Sequence, residues 1–327
     1  MLKEFRYYQT EADDNIYDEL LLNNKCIVKM FCGTGKSLLM RKCKYAQNQK
    51  LVVYVFPSLG LIKQFCEEYF IKAGYKSPFK ISSEDDSTTD PMLIQTEILK
   101  EENKIICVTY QSYKTLLDNI GSNKIDVCIY DEAHHAVGQT YQNLIFVNNE
   151  NTCKKQIFFT ATPKNANGIV MYDLNNIESG MCGKLVYDYS YLRGLNENYL
   201  NPFQIRVDMY TSNTNKSVFE SIARTILVSG NSRVLTFHAD VNTDRDASVK
   251  NFVNETEFIK SFYKVLLEEF PEKNGIYTQI KMIALDASIE PNKRKKILKE
   301  FDKTSAAGLG EADGLEVPAW FIKTHSK

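Results

Sequence analysis

Short apolar runs recur through the first half of the chain, near 25–30, 51–56, 105–109, 125–130 and 155–160, each followed by a polar or amphipathic stretch. Runs of this length, rich in Val, Ile, Phe and Tyr, read as strands buried on both faces, because a half-exposed strand would alternate with polar residues. Behind the first run, SLLMRKCKYA has the apolar spacing of a helix. Strands and helices alternating in this way predict an α/β fold, a mostly parallel sheet flanked by helices. Within this half, KSPFKISSEDDSTTDP (Lys76 to Pro91) is polar and rich in turn formers and is expected to be an exposed loop. A domain boundary falls near Asn201 and Pro202. Beyond it, strands are predicted at 204–211, 232–238 and 281–286, and helices at 216–228, 255–269 and 291–301. No fixed-period repeat runs through the chain. The expected organisation is a first domain over 1–200, a partial second domain over 201–303 and a tail over 304–327.

Candidate chemistry sits at strand ends, where open α/β sheets bind their ligands. MFCGTGKS (Met30 to Ser37) joins the first strand to its helix. Backbone N–H groups of the Gly33, Thr34 and Gly35 turn, with the positive end of that helix, suit phosphate oxygens. Lys36 adds a point charge for the β and γ phosphates, and the Ser37 hydroxyl suits one Mg²⁺ position. The usual pattern opens with Gly or Ala where this chain has Met30. A second strand, in IDVCIYDEAHH (Ile125 to His135), ends in two carboxylates. Asp131 is placed to hold Mg²⁺ through water, and Glu132 to orient and deprotonate an attacking water. A lone Asp-Glu pair reads as a solvated acidic turn. Asp-Glu-Ala-His about 95 residues beyond a phosphate loop is a rare coincidence.

On these motifs the chain resembles a superfamily 2 helicase or translocase motor of the Asp-Glu-Ala-His type. FRYYQTEA (Phe5 to Ala12) resembles the adenine-sensing element ahead of the phosphate loop, with Gln9 reading the adenine edge and Arg6 nearby. VFPSLGLIKQF (Val55 to Phe65) and VTYQSY (Val108 to Tyr113) are similar to the family's nucleic-acid-contacting motifs, which puts Pro57, Ser58, Thr109 and Gln111 against nucleic acid. TATP (Thr160 to Pro163) resembles the element that couples hydrolysis to movement, through Thr160, Thr162 and His134. CGKLVYDYSYLRGLNENYLNPFQI is similar to the segment leading into the second domain, RVLTFHADV (Arg233 to Val241) to that domain's first motif, and Ile283 to Phe301 to the strand and helix that follow. The resemblance covers most of residues 1–303. It implies two RecA-like domains, the second one partial, with ATP and Mg²⁺ as cofactors and nucleic acid, DNA favoured over RNA, as partner. His134 has a plainer alternative as a hydrogen-bonding residue at a helix start.

One family feature is missing. The second domain of such motors closes with a Gly-x-Asp loop and a Gln-x-x-Gly-Arg-x-x-Arg motif, whose arginines reach the γ-phosphate. The sequence has no full match to either, and DGLEVPA (Asp313 to Ala319), with Glu316 in the Asp place, is read as chance. The tail TSAAGLGEADGLEVPAWFIKTHSK is Ala- and Gly-rich, holds the only Trp and shows no convincing periodicity, so its origin stays open. A protein partner that supplies the missing motor elements, or a nuclease, is one expectation. Losing such an arginine costs on the order of 10³ to 10⁵ in rate in related phosphoryl-transfer machines.

Composition adds boundaries. The 327 residues are 43% hydrophobic, which suffices for two cores. The N-terminus MLKEFRYYQ lacks a signal-peptide core and no long apolar stretch is present, so the expectation is an intracellular protein, cytoplasmic or nucleic-acid-associated, neither secreted nor membrane-bound. The eight cysteines have no C-x-x-C spacing and read as reduced core residues. A net charge of −1 makes no global case for nucleic acid, leaving that to local placement of Lys and Arg. The densest cluster, NKRKKILK (Asn292 to Lys299), reads first as a solvated helix face and second as a contact to nucleic acid. The aromatics of Tyr187 to Tyr191 read first as core and second as a base-stacking platform. Two rival functions stay open: a helicase-derived scaffold that binds ATP and regulates a partner, and a phosphate-loop kinase or GTPase unrelated to nucleic acid.

Overall fold

The computed structural model describes residues 3–83, 87–100, 102–147, 152–164, 171–172, 181–202, 215–230, 233–238, 256–274, 280–285, 290, 293, 296–297 and 319–325. The chain divides into two compact units, Met1–Phe203 and Gln204–Lys327.

The first unit runs α1 (Tyr7–Leu22), β1 (Lys25–Met30), α2 (Lys36–Lys42), α3 (Lys44–Gln47), β2 (Leu51–Phe56), α4 (Leu59–Cys66), β3 (Phe79–Ile81), α5 (Pro91–Ile98) and β4 (Lys104–Thr109). It continues through α6 (Tyr113–Asn119), β5 (Ile125–Tyr130), α7 (Gln139–Gln142), β6 (Cys153–Thr160), β7 (Lys184–Tyr189) and α8 (Tyr191–Asn196). Its seven strands form one sheet in the order β3-β4-β2-β5-β6-β1-β7, and every pairing is parallel. This is the α/β fold of a RecA-like helicase domain, with all five strands expected in this half in place.

Both sheet faces are covered, which is why the strands read as unbroken apolar runs. Val52, Tyr54 and Phe56 of β2 turn to one core, against Tyr8, Ala12, Ile16 and Leu20 of α1 and Leu39 and Met40 of α2. Leu51, Val53 and Val55 turn to the other, against Tyr113 and Leu116 of α6. The α1 residues recur every fourth position and are all fully buried, the stripe a helix needs to lie on a sheet.

Three features depart from the sequence reading. The stretch Lys76 to Pro91 is not simply an exposed loop, because β3 lies within it and Ile81 and Ser82 are buried. Three residues are too few to show period 2, and β3 exists through its pairing with β4. Next, α5 was not foreseen, although Asp90 caps it by accepting the Met92 N–H at 2.8 Å and Pro91 opens it. Third, the segment leading out of this unit adds the edge strand β7 beside β1, while its Tyr187 and Tyr189 pack into the core as their first reading has it.

The second unit holds α9 (Asn215–Ser229), β8 (Arg233–His238), α10 (Thr256–Glu269), β9 (Ile280–Leu285) and β10 (Ala319–His325). Phe219, Ala223, Ile226 and Leu227 of α9 pack on Phe258, Phe262, Val265 and Leu266 of α10. Arg224 clamps Glu269 through two guanidinium nitrogens at 2.7–2.9 Å. The strands form a parallel sheet ordered β8-β10-β9, so a stretch of the tail lies at its centre. Only the pairing of AWFIKTH on both edges reveals it as a strand. The strand expected at 204–211 lies outside the described residues, as do most of the 291–301 helix and of NKRKKILK, and Asp313 to Pro318 of DGLEVPA.

Candidate nucleotide-binding site

The phosphate loop follows directly from β1. Gly33 and Gly35 have φ of +81° and +83°, conformations that side-chain-bearing residues rarely adopt. At Gly35 a Cβ would also stand 2.5 Å from the Gln9 amide nitrogen. The loop's carbonyls are held from outside by α1. The Tyr8 hydroxyl donates to the Thr34 carbonyl at 2.8 Å, and the Gln9 amide donates to the Thr34 and Gly35 carbonyls at 3.3 and 3.1 Å. The Thr34 hydroxyl donates to the Phe31 carbonyl at 2.6 Å. Lys36 opens α2, with its ammonium donating to the Met30 carbonyl at 3.3 Å. Ser37 follows on the first turn.

The acidic pair stands two strands away, since β6 alone separates β5 from β1. Asp131 is buried, its N–H donating to the Val55 carbonyl at 2.9 Å and its carbonyl accepting from the Tyr110 hydroxyl at 3.0 Å. Burial first, and the charge of Glu132 second, push its carboxyl up to about 6, against the opposing pull of Lys36. Glu132 occupies the left-handed region at φ 45°, ψ 51°, a strain that a non-glycine residue keeps only where its surroundings impose it. Its carboxylate lies 3.4 Å from His134 Nδ1. Burial and the neighbouring His135 lower the His134 pKa, so that imidazole is neutral at pH 7. At the end of β6, fully buried Thr160 places its hydroxyl 3.5 Å from His134 Nδ1. The same hydroxyl accepts the Thr162 N–H at 3.0 Å and donates to the Thr162 carbonyl at 2.8 Å. Glu132, His134, Thr160 and Thr162 therefore form one connected group.

These residues fit Mg²⁺ brought in by a nucleotide. A raised, buried carboxyl beside a second acid is relieved by a divalent cation, and Mg²⁺ is commonly held by one or two carboxylates together with phosphates and water. Among the described residues no cluster of three or more His, Cys, Asp or Glu forms a self-sufficient metal site.

Beside the loop opens a cavity of about 470 Å³, whose lining includes Arg6, Gln9, Leu38, Glu68 and Tyr69. Gln9, expected to read adenine, has its amide turned to the loop, and its side-chain oxygen accepts the Arg6 N–H at 2.9 Å. In this structure it braces the loop. Arg6 donates to the Tyr8 hydroxyl at 3.0 Å and lies 4.6 Å over the Tyr199 ring. The residues expected to contact nucleic acid sit at the ends of β2 and β4. Ser58 is exposed and caps α4 by accepting the Leu61 N–H at 3.4 Å, and Gln111 is exposed. Thr109 is buried, its hydroxyl accepting the Ser112 N–H at 3.2 Å.

The sequence reading gave no site role to Tyr8, Tyr69 or Tyr110, and read Tyr189, whose ring stacks on Tyr8 at 4.1 Å, as core. Tyr8 carried a signal, as the first residue of the buried α1 stripe. The others meet the site only through tertiary contacts.

A family model described as type III restriction enzyme, res subunit, matches residues 2–165, the span holding every site residue named above except Tyr189 and Tyr199. The chain belongs to this ResIII family. Its first unit is a superfamily 2 helicase-like RecA motor domain. The ResIII chain is 27% identical over 219 residues to the probable helicase A859L of African swine fever virus, a match over 62% of this chain and 24% of the viral protein. It thus spans about a quarter of the length of the curated relatives it matches. Two solved structures share the fold. The ATP-dependent type ISP restriction-modification enzyme LlaBIII bound to DNA has a TM-score of 0.69 at 15% identity, over 99% of this chain and 24% of that one. A nuclease-deletion mutant of the type ISP enzyme LlaGI in complex with a DNA substrate mimic has 0.66 at 17%, over 98% and 25%.

Proposed function

We propose that this ResIII chain is the ATP-binding engine of a DNA helicase or translocase, and that it couples ATP hydrolysis to movement along nucleic acid. The observation that carries the reading is the gathering of Lys36, the Asp131–Glu132 pair and the His134–Thr160–Thr162 group at the ends of β1, β5 and β6, neighbours in one parallel sheet. Lys36 and the loop hold the phosphates, and Ser37 and Asp131 take Mg²⁺ positions. When bound, Mg²⁺ neutralises charge on the β and γ phosphates. Glu132 orients the attacking water and accepts its proton. His134, neutral and within reach of both Glu132 and Thr160, passes the state of the phosphate site to β6. DNA is favoured as track because the two structural neighbours are DNA-bound restriction enzymes. Pro57, Ser58, Thr109 and Gln111, at the ends of β2 and β4, are the assigned contacts. The domain assignment is a helicase ATP-binding domain over 1–200, a partial second RecA-like domain over 201–303 and the remainder to 327. Among the described residues no helix is long and apolar enough to cross a membrane, and an intracellular setting fits this work.

The second reading is the helicase-derived scaffold. On that reading the chain binds ATP and regulates a partner without turning over, or a partner supplies the arginine. ATP hydrolysis with duplex DNA, single-stranded DNA or RNA, beside a Lys36→Ala control, separates the two. Stimulation by one polymer that is lost in the control supports the motor and names its track. ATP binding without turnover on any polymer supports the scaffold.

A further inference from the structure

The acidic pair and the residues assigned to nucleic acid follow three adjacent strands, since β2 lies between β4 and β5. Just past their ends the chain is stitched across all three. The Tyr110 N–H donates to the Phe56 carbonyl at 3.0 Å, and the Asp131 N–H to the Val55 carbonyl at 2.9 Å. The Tyr110 side chain then reaches from the end of β4 to the end of β5, where its hydroxyl donates to the Asp131 carbonyl at 3.0 Å in a buried bond. Its ring is buried against Tyr130, Tyr141 and His135, with centroids 6.3, 5.5 and 5.8 Å away. The Asp131 carbonyl belongs to the planar peptide that joins Asp131 to Glu132, so holding it orients the plane from which Glu132 departs. On the other side of Glu132, its own carbonyl accepts the His135 N–H at 3.0 Å. Both peptides flanking this left-handed residue are therefore held, one of them by a side chain from β4.

We propose that Tyr110 is a positioning residue for Glu132: its hydroxyl fixes the Asp131–Glu132 peptide and ties it to the strand ends that meet nucleic acid. This rests on the reading of Glu132 as the base for water and of Pro57, Ser58, Thr109 and Gln111 as the nucleic-acid contacts. Thr109 and Gln111 flank Tyr110 in the chain, and Pro57 and Ser58 follow directly on Phe56, the carbonyl partner of the Tyr110 N–H. A polymer that shifts these strand ends moves the phenol, and the Asp131 carbonyl follows, because a buried acceptor parted from its donor loses a hydrogen bond that water does not replace. The link works in both directions, so a nucleotide that fixes the acidic pair also fixes the contact residues.

The test is the affinity of the whole chain for fluorescein-labelled duplex DNA, single-stranded DNA and RNA, read by anisotropy without nucleotide and at saturating Mg²⁺-AMP-PNP. Parent, Tyr110→Phe and Tyr54→Phe are compared. Phe keeps the ring of residue 110 in place and removes only the oxygen, and far-ultraviolet circular dichroism verifies the fold. Tyr54→Phe is the control, since the buried Tyr54 hydroxyl donates to the Met40 carbonyl at 3.2 Å, a bond of the same kind that does not involve Asp131. In the parent, AMP-PNP is expected to change the affinity for at least one polymer. In Tyr110→Phe that ratio is expected to move about 3- to 10-fold toward unity, the range of one lost hydrogen bond, and in Tyr54→Phe to stay at the parent value. A parent-like ratio in Tyr110→Phe overturns the proposal. An equal loss in Tyr54→Phe also overturns it, because the effect is then a general loosening of the core. A parent that binds both ligands with no effect of one on the other overturns this inference alone, whereas a parent that binds no nucleotide or no polymer overturns the functional reading along with it.

Discussion

Two buried carboxylates carry the electrostatic consequences at the residue scale. Asp131 has its pKa raised to about 6 by burial and by Glu132. A metal-holding carboxylate must be ionised, so protons compete with Mg²⁺ below that pH. The affinity for Mg²⁺-ATP is therefore expected to be flat above pH 6 and to fall by up to about tenfold per unit below it, as measured by calorimetry across the range. A flat profile down through pH 5 would mean that Asp131 is not in the metal site. Asp13 on α1 is buried, accepts the Lys44 N–H at 2.9 Å with one oxygen and has no hydrogen-bond partner for the other. Burial raises its pKa above the ordinary aspartate value. The folded state thus holds this proton more tightly than the unfolded chain does. That stability is present at low pH and is lost as pH rises through the folded-state value. Asp13→Asn, which cannot ionise, is expected to match the parent at acid pH and to melt higher at neutral pH; a difference that shrinks as pH rises contradicts the assignment.

The decisive element is the loop between β1 and α2, held by Tyr8 and Gln9 of α1. Gly35→Ala meets both a left-handed backbone, costing roughly 1–2 kcal/mol for a side-chain-bearing residue, and the Gln9 amide 2.5 Å away. ATP affinity is expected to drop at least about tenfold while far-ultraviolet circular dichroism stays native, because the loop and its brace must move but the sheet need not. Wild-type affinity in that variant would show that the brace is dispensable. The same elements explain what the sequence made legible. β1, β2, β4, β5 and β6 announced themselves because burial on both faces leaves uninterrupted apolar runs, and the loop and the Asp131–Glu132 pair because their chemistry is compact in sequence. β3 stayed silent because three residues show no period, and β10 because its strand state depends on pairing with β8 and β9, distant in sequence. Tyr69 was invisible for a related reason: it reaches the cavity wall through a π-turn, which has no sequence period.

At the scale of the whole molecule, the first unit carries every proposed ATP-handling residue, and the second contributes a three-stranded parallel sheet with β10 at its centre. Nothing in the net charge of −1 recommends nucleic acid; the family membership and the arrangement at the strand ends do. The central claim is that Lys36 and the Asp131–Glu132 pair form one Mg²⁺-ATP site. Calorimetric titration of Mg²⁺-ATP into the parent chain, Lys36→Ala and Asp131→Asn tests it most directly. The account predicts saturable binding in the parent, a loss of at least about tenfold in both variants, and retention in Asp131→Asn of the weaker affinity seen in EDTA, since that change removes a metal position and leaves the loop intact. Parent-like binding in both variants, or none in the parent, would contradict it.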